Sequence, residues 1–323
     1  VAGMQIRGRL RQLLPADKRD LPITVVEDYQ TVSGLADYVL KRRHGQALVP
    51  GGSANDELLL MRQLVEEYSN FQPVAAETTT SSNDSSIDER DVVVLTGATG
   101  ALGAHVLDQY RSLASVRKVY CLVRAADAHA AEERVAKALE YRKLRALGDD
   151  PDKKVVVLPA HLADLRLGLD AETYSAVARE ATVIMHVAWS VNFRMKLRSF
   201  AKDSIGGLSH LISLALAAPS SRPAPRIAFC SSVASVMAYP SSTVPEVLVD
   251  DPAAASELGY SRSKWVAEHV CARANGHPRL AGRVGVFRVG QLAGASDTGV
   301  WNAKEAWPLM LSSAQETGAL PEL

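Results

Sequence analysis

The sequence predicts an α/β protein in which a doubly wound parallel sheet follows a small all-α segment. From Asp91 onward, continuous apolar runs rich in β-branched residues alternate with helical segments, as in parallel sheets that are covered on both faces. Residues 1–45 are predicted to form short helices, and residues 46–90 a linker with one helix. The 323 residues exceed the length of an average domain, which leaves room for this division.

The composition argues against several classes of function. The 36 Lys and Arg residues balance the 36 Asp and Glu residues, so we expect no long-range attraction to nucleic acid or to an anionic membrane. No apolar run approaches the ~20 residues that a membrane span needs. Three cysteines cannot form a disulfide framework, and a reducing, cytoplasmic location is therefore expected.

The predicted elements alternate as a wound sheet requires. The strand candidates are Val92–Leu95, Lys118–Val123, Lys154–Leu158, Thr182–His186, Arg226–Cys230 and Arg283–Phe287. Helices are predicted near residues 102–114, 129–147, 199–217 and 260–274. Upstream, leucines at helical spacing over Asp56–Phe71 predict a helix that docks on a neighbour, and the polar run Thr78–Ser86 predicts a mobile loop.

A glycine-rich turn follows the first predicted strand and precedes a helix, a context that predicts a Rossmann-type dinucleotide site. Gly97 would permit the tight turn, Gly100 the approach of a pyrophosphate, and Gly103 the packing of helix on strand. A purely structural turn is the alternative. The residues expected to line the cofactor here are Thr96, Gly97, Thr99, Gly100, Ala101 and Leu102.

The end of the second predicted strand favours NADPH over NADH. A site for NADH usually has Asp or Glu about 20 residues after the glycines, but here the strand ends in Arg124 and no carboxylate occurs before Asp127. Arg124 can pair with a ribose 2′-phosphate through charge-assisted hydrogen bonds, although a solvated surface arginine is the alternative. Arg134 is a candidate second cation.

Two further segments are expected beside the cofactor. After the third strand, Asp164 would accept a hydrogen bond from the adenine amino group next to Leu165, unless it is an ordinary turn residue. After the fourth strand, Val187 and Ala188 would run close to the cofactor. His186 before them is interpreted as a packed histidine, and no metal site is predicted because it has no partner at ligand spacing.

Tyr260 and Lys264 lie four residues apart and therefore share one face of a predicted helix. A tyrosine with a pKa of ~10 is a poor acid at neutral pH unless a cation stabilises its phenolate, and Lys264 would supply that charge and hold the nicotinamide ribose. This spacing is common by chance, but Ser231 and Ser232 end the fifth predicted strand. A hydroxyl there can stabilise the oxyanion that forms when hydride adds to a carbonyl.

Together these motifs resemble the extended short-chain dehydrogenase/reductases, which share the T-G-A-T-G-x-x-G loop, a serine at the end of strand five and the YxxxK helix. The resemblance implies that Ser232, rather than Ser231, acts with Tyr260 and Lys264. It also places Val289, after strand six, beside the cofactor.

A narrower resemblance is to the thioester reductase domains of nonribosomal peptide synthetases, polyketide synthases and adenylate-forming (carboxylic acid) reductases, above all the fungal members. The segments that carry it are Val94–Gly100, Cys121–Ala125, Leu167–Leu169, Ala188–Phe193, Gly259–Lys264, Arg288–Gly294 and Gly299–Asn302. It implies NADPH-dependent release of a phosphopantetheine-bound acyl or aminoacyl thioester as an aldehyde, with reduction to the alcohol left open. Gln291, Trp301 and Asn302 are expected to border the substrate channel.

The N-terminal residues resemble the second and last helices of an acyl or peptidyl carrier domain, at Val1–Leu10 and at Asp28–Thr31 with Leu35–Tyr38. Gln30 departs from the carrier pattern, which usually has Pro, and an unrelated helical extension is the alternative. The resemblance implies a partial carrier (1–45), a linker (46–90) and a reductase with an incomplete substrate subdomain (91–323). The serine that bears phosphopantetheine in carriers is not in this sequence. The implied partners are a carrier-bound thioester and upstream adenylation and carrier domains.

Two other functions remain open. An enzyme of the same fold could reduce or epimerise a free small molecule, which the carrier-like segment argues against. A non-catalytic dinucleotide-binding docking module would not need Tyr260 and Lys264, and both are present.

Overall fold

The computed structural model describes residues 2–21, 25–29, 32–45, 54–71 and 89–320. The predicted mobile loop Thr78–Ser86 lies outside these residues, as do Gln30 and Thr31 of the carrier-like segment.

In the described part of the chain, six parallel strands form one sheet in the spatial order β3-β2-β1-β4-β5-β6. They are β1 (Asp91–Thr96), β2 (Val116–Val123), β3 (Val155–Pro159), β4 (Val183–His186), β5 (Arg226–Ser232) and β6 (Val284–Val289). The strand order reverses between β1 and β4, and in such sheets a ligand crevice opens at the carboxyl ends of the strands at this point. All six predicted strands are confirmed, and β5 and β6 each run two residues further than predicted.

The helices flank this sheet or precede it. They are α1 (Ala2–Gln12), α2 (Val25–Asp28), α3 (Val32–Arg43), α4 (Ala54–Tyr68), α5 (Ala101–Ser112), α6 (Ala128–Tyr141), α7 (Ala171–Glu180), α8 (Arg198–Phe200), α9 (Gly207–Leu216), α10 (Gly259–Asn275) and α11 (Ala306–Thr317). A π-helical turn over Ala201–Gly206 joins α8 to α9. Among the described residues, no helix has the length and apolar character needed to cross a membrane.

Side chains on β1 alternate between two apolar cores. Val92 and Val94 face the larger core, which α4, α7, α9 and α10 cover. Val93 and Leu95 face the smaller core under α5 and α6. This alternation is the two-residue period of a strand, and because both faces are covered the strand reads as a continuous apolar run.

The sequence prediction omitted α7 and placed the end of α6 too late. Asp170 begins α7, where its carboxylate accepts hydrogen bonds from the Thr173 N–H (2.8 Å) and hydroxyl (2.7 Å), as N-cap residues do. Beyond Tyr141, Lys143 has a φ of +56°, which ends the helix. The buried Arg111 guanidinium then binds the carbonyls of Arg145 and Ala146.

The predicted upstream helix, α4, docks on α10. Its apolar side chains, including Met61 and Leu64, are buried in the larger core. Glu57 pairs with Arg262 at 3.2 Å, next to the start of α10. This helix therefore contributes to the core of the sheet domain although it precedes the first strand.

The first three helices have an apolar cluster of their own. Leu14, Leu21, Val25, Tyr38 and Val39 are buried together. The cluster is separate from both cores of the sheet domain, which is consistent with a distinct helical unit.

Candidate active site

The glycine-rich turn after β1 is shaped by close backbone packing. Gly97 has a φ of +81°, and a Cβ there would lie 2.8 Å from the Ala188 nitrogen. A Cβ at Gly103 would overlap the Gly97 carbonyl. Gly100 is the N-cap of α5 and supplies no side-chain acceptor, so the turn presents backbone N–H groups at the positive end of the helix. This cradle suits a pyrophosphate.

Thr96 fixes the chain beside this cradle. Its hydroxyl oxygen accepts hydrogen bonds from the N–H groups of Val187 and Ala188, both at 3.1 Å. It lies 2.8 Å from His186 Nδ1, and because its acceptor positions are filled its proton points to that nitrogen. His186 is buried, and burial together with the charge of Lys264 lowers its pKa to about 3. His186 is thus a neutral, packed residue, as the sequence interpretation held.

Two arginines meet at the end of β2. Arg124 is exposed, and the Arg134 guanidinium donates a hydrogen bond to the Arg124 carbonyl. Asp127 is the first carboxylate after β2, and it accepts a hydrogen bond from the Ala130 N–H (2.8 Å) as the N-cap of α6. In an NADH site, a carboxylate near the end of β2 would bind a ribose hydroxyl. Here Asp127 already caps α6, and the other charged side chains near this end are Arg124 and Arg134.

The candidate adenine contacts lie in a turn after β3. The Asp164 carboxylate is 3.2 Å from His161 Nδ1, and Leu165 is 75% exposed. Arg166 and Leu167 follow with φ values of +53° and +61°. Asp164 is thus exposed at the carboxyl end of the sheet with His161 as a partner.

Ser232, Tyr260 and Lys264 come together between β5 and α10. Ser232 ends β5, and its side chain lies close enough to Tyr260 in the first turn of α10 to lower the pKa of the phenol. Burial raises the pKa of Tyr260, and the nearby Ser232 only partly opposes this. The phenol therefore stays protonated at neutral pH. The sequence-based expectation was the reverse, a pKa lowered by Lys264.

The position of Lys264 explains this difference. Its ammonium group donates a hydrogen bond to the Cys230 carbonyl at 2.7 Å and lies 4.1 Å from the centroid of the Trp189 ring. The Tyr260 ring is further away, at 5.9 Å. Lys264 is 2% exposed, and burial lowers its pKa to about 7. Cys230 is half-buried beside it.

The two serines of β5 point to different partners. Ser231 donates to the buried Glu268 carboxylate at 2.5 Å, which also accepts from Ser235 (2.6 Å) and Arg288 (2.7 Å). Ser232 is the serine that meets Tyr260. Sequence reasoning missed Glu268, although it lies four residues after Lys264 and so on the same helix face.

The residues expected around the substrate have partners in their own segment. Trp301 donates to Glu305 at 2.9 Å, Gln291 donates to the Leu292 carbonyl, and the Asn302 side chain accepts from the Lys304 N–H. In contrast, Val289 is the sheet partner of Ser232. The structure thus brings Val289 to the serine and leaves the other three on the loop before α11.

A family model described as Male sterility protein, an NAD-binding family, matches residues 95–323. The chain belongs to this family.

Several curated reductases are similar to this family member. An adenylate-forming reductase of Aspergillus terreus is 34% identical over 72% of this chain and 22% of the relative. Adenylate-forming reductase Nps10 of Heterobasidion annosum is 32% identical over 97% of the chain and 28% of the relative. A carboxylic acid reductase of Neurospora crassa is 31% identical over 94% and 27%. The chain thus spans about a quarter of the length of these relatives.

Solved reductase domains share the fold of this family member. The terminal R domain of the myxalamid PKS-NRPS pathway has a TM-score of 0.66 at 24% identity, over 82% of this chain and 64% of that one. A thiolation-reductase di-domain from an archaeal nonribosomal peptide synthetase has a TM-score of 0.59 at 17% identity, over 99% and 63%. The predicted Rossmann-type fold is confirmed.

Proposed function

We propose that this protein is an NADPH-dependent reductase that releases a phosphopantetheine-bound acyl or aminoacyl thioester as an aldehyde. The observation that carries the proposal is the approach of Ser232, at the end of β5, to Tyr260 in the first turn of α10. Carbonyl reduction needs such donors at the oxygen that gains charge. The names of the similar adenylate-forming and carboxylic acid reductases support a reductase that acts on a carboxyl group, and the resemblance to thioester reductase domains supports the thioester as its activated form.

The glycine-rich turn would hold the pyrophosphate of the cofactor, and the arginines would hold its 2′-phosphate. Arg124 and Arg134 are adjacent, and guanidinium groups bind phosphate through paired, charge-assisted hydrogen bonds. Asp127 is used as a helix cap, so no carboxylate at this position favours NADH. Val187 and Ala188 would lie along the cofactor where Thr96 holds them. When bound, NADPH supplies the hydride.

The side chains of the site would act on the thioester oxygen. Ser232 and Tyr260 hydrogen-bond this oxygen, and Tyr260 gives it a proton as a new C–H bond forms at the carbonyl carbon. Lys264, 5.9 Å from the Tyr260 ring, would supply positive charge to the site and would hold the ribose of the cofactor. The C–S bond of the resulting hemithioacetal then breaks, so thioester, NADPH and one proton become aldehyde, thiol and NADP⁺. A second hydride transfer would give the alcohol.

The upstream residues fit a role in delivery of the substrate. We propose that residues 1–45 are the C-terminal part of a carrier domain, residues 46–90 the linker, and residues 91–323 the reductase. The separate apolar cluster of α1–α3 supports the first boundary, and α4 anchors the linker to α10. Upstream adenylation and carrier domains of one cytoplasmic polypeptide would load the phosphopantetheine arm.

The test follows NADPH absorbance with an acyl-pantetheine thioester and traps the aldehyde. Tyr260→Phe should lower turnover by at least about a hundredfold, since it removes the proton donor, and should leave NADPH affinity nearly unchanged. Tyr141→Phe, on the exposed end of α6, is the matched control and should keep wild-type turnover.

The alternatives give different results in the same assay. Turnover with free carbonyl compounds and none with thioesters would identify a small-molecule reductase or epimerase. NADPH binding without turnover on any carbonyl would identify a docking module. Wild-type turnover by Tyr260→Phe would contradict the assignment of Tyr260.

A further inference from the structure

Trp189, three residues after β4, covers the ammonium group of Lys264. Nζ lies 4.1 Å from the centroid of the Trp189 ring and 4.7 Å from that of Phe229, within the ~6 Å over which cations are attracted to aromatic faces. Among the described residues, the hydrogen-bond acceptor of Nζ is the Cys230 carbonyl. The aromatic faces therefore take the place that water has around an exposed ammonium group.

Two aromatic side chains of the neighbouring strands contact the Trp189 ring. Its centroid is 5.3 Å from that of Phe229 and 6.0 Å from that of His186. His186 is fixed in turn by the Thr96 hydroxyl. Aromatic side chains from β4 and β5 therefore contact the Trp189 ring.

The other end of Trp189 reaches the first turn of α10. The indole N–H donates to the Ser263 hydroxyl at 3.1 Å, and that hydroxyl donates to the Tyr260 carbonyl at 2.6 Å. One side chain on the loop after β4 thus contacts the lysine through its ring and the backbone of the tyrosine through its N–H.

We propose that Trp189 is a positioning residue for the reaction, whose ring holds the Lys264 ammonium group and whose N–H fixes the turn that carries Tyr260. This proposal rests on the proposed function, because Lys264 and Tyr260 affect turnover only if they serve the reduction. A tryptophan that only filled space would affect stability alone.

The two contacts can be removed separately. Trp189→Phe keeps an aromatic face and loses the N–H, while Ser263→Ala loses the acceptor and keeps the ring. Trp189→Leu keeps apolar volume and loses the aromatic face. Trp189→Phe removes the donor and Ser263→Ala removes the acceptor of the same hydrogen bond. The turnover of the double variant should therefore be no lower than that of the slower single variant.

The aromatic face should appear in the pH profile of kcat/KM. The groups that face Lys264 are Cys230 on β5, His186 at the end of β4, and Tyr260, Glu268 and Cys271 on α10. Loss of the aromatic face in Trp189→Leu destabilises the charged amine, so the alkaline limb should move about one pH unit lower and kcat/KM should fall about fivefold at pH 7 and about tenfold at higher pH. Trp189→Phe should keep the wild-type limb. Trp307→Leu, on α11, controls for the loss of a tryptophan.

A second measurement does not depend on turnover. In a double-mutant cycle for urea unfolding, Trp189→Leu and Lys264→Met should be coupled at pH 6, where the amine is charged, and uncoupled at pH 9.5. Coupling that is zero at both pH values would overturn the ring contact.

The outcomes separate this proposal from the function on which it rests. If the wild-type protein reduces the thioester and Trp189→Leu has the same pH limb as Trp189→Phe, the positioning role is overturned and the function stands. If the wild-type protein binds NADPH and reduces no carbonyl, the proposed function is overturned, and with it the role of Trp189 in turnover.

Discussion

Burial moves the pKa values of Lys264 and Tyr260 in opposite directions. Each group has its charged form disfavoured, so the pKa of Lys264 falls to about 7 and that of Tyr260 rises. A protonated tyrosine next to a lysine that titrates near neutral pH is a suitable pair for proton transfer, and separated acid and base pKa values of this kind are typical of active sites.

Lys264→Met should raise the free energy of unfolding at neutral pH. The pKa of Lys264 is about 7 in the folded state and ~10.4 in the unfolded state. Below pH 7 the amine is charged in both states, so the cost of burying that charge lowers the free energy of unfolding by its full amount. Between these values the unfolded state binds more protons, so wild-type stability rises with pH, and above both values the penalty is gone. Urea unfolding at pH 6.5 and 9.5 should therefore show a larger gain for Lys264→Met at the lower pH. An equal gain at both values would contradict the assignment of the shift to burial.

Thr96→Val should weaken NADPH binding and lower stability. It removes the oxygen that accepts from Val187 and Ala188, and each buried N–H left without an acceptor costs about 1–3 kcal/mol. The matched control is Thr96→Ser, which keeps the hydroxyl. Titration with NADPH and thermal unfolding check both effects. Equal losses in the two variants would contradict a specific role for the Thr96 hydroxyl.

At the scale of elements, α10 is held from three sides. Its Glu268 carboxylate binds Arg288 on β6 and Ser231 on β5, and α4 pairs with its first turn through Glu57 and Arg262. These contacts fix the helix that carries Tyr260 and Lys264 against the strand that carries Ser232.

Glu268→Gln should destabilise the protein by about 3 kcal/mol, because it leaves the partly buried Arg288 cation without its counter-charge. Replacement of both partners, Glu268→Leu with Arg288→Met, should recover most of this loss. Chemical unfolding of the three proteins is the measurement. A double variant less stable than Glu268→Gln would contradict the charge explanation.

The strands were predictable from the sequence and the side-chain contacts of the site were not. Strands such as β1 are buried on both faces and therefore appear as apolar runs. The pairs Glu268–Arg288 and Trp189–Lys264 join residues on different elements, so their contact depends on packing that periodicity does not encode. Ser232 was predicted over Ser231 through the family resemblance, since a choice between strand neighbours that face opposite sides requires the register of the sheet.

At the scale of the whole molecule, the reversal of strand order gathers the candidate site at one edge of the sheet. The residues at the ends of β1, β4 and β5 meet there, and Arg124 extends the same edge beyond β2. A chain with no net charge thus places two cations where the cofactor phosphate is proposed to bind.

Arg124→Ala and Arg134→Ala should each reduce the preference for NADPH over NADH about tenfold, the loss expected for one charge-assisted contact. The affinity for NADH should change little because it lacks the 2′-phosphate. Arg179→Ala, exposed on α7, is the charge-matched control. Equal loss of affinity for both cofactors would argue against a 2′-phosphate site.

The most direct test of the account is to follow deuterium from the reduced nicotinamide carbon of labelled NADPH into the product of an acyl-pantetheine thioester. Mass spectrometry should find an aldehyde one mass unit heavier, together with free thiol, and Tyr260→Phe should yield almost none. An unlabelled aldehyde, or labelled cofactor left unconsumed while the thioester persists, would contradict reductive release at the site of Ser232 and Tyr260.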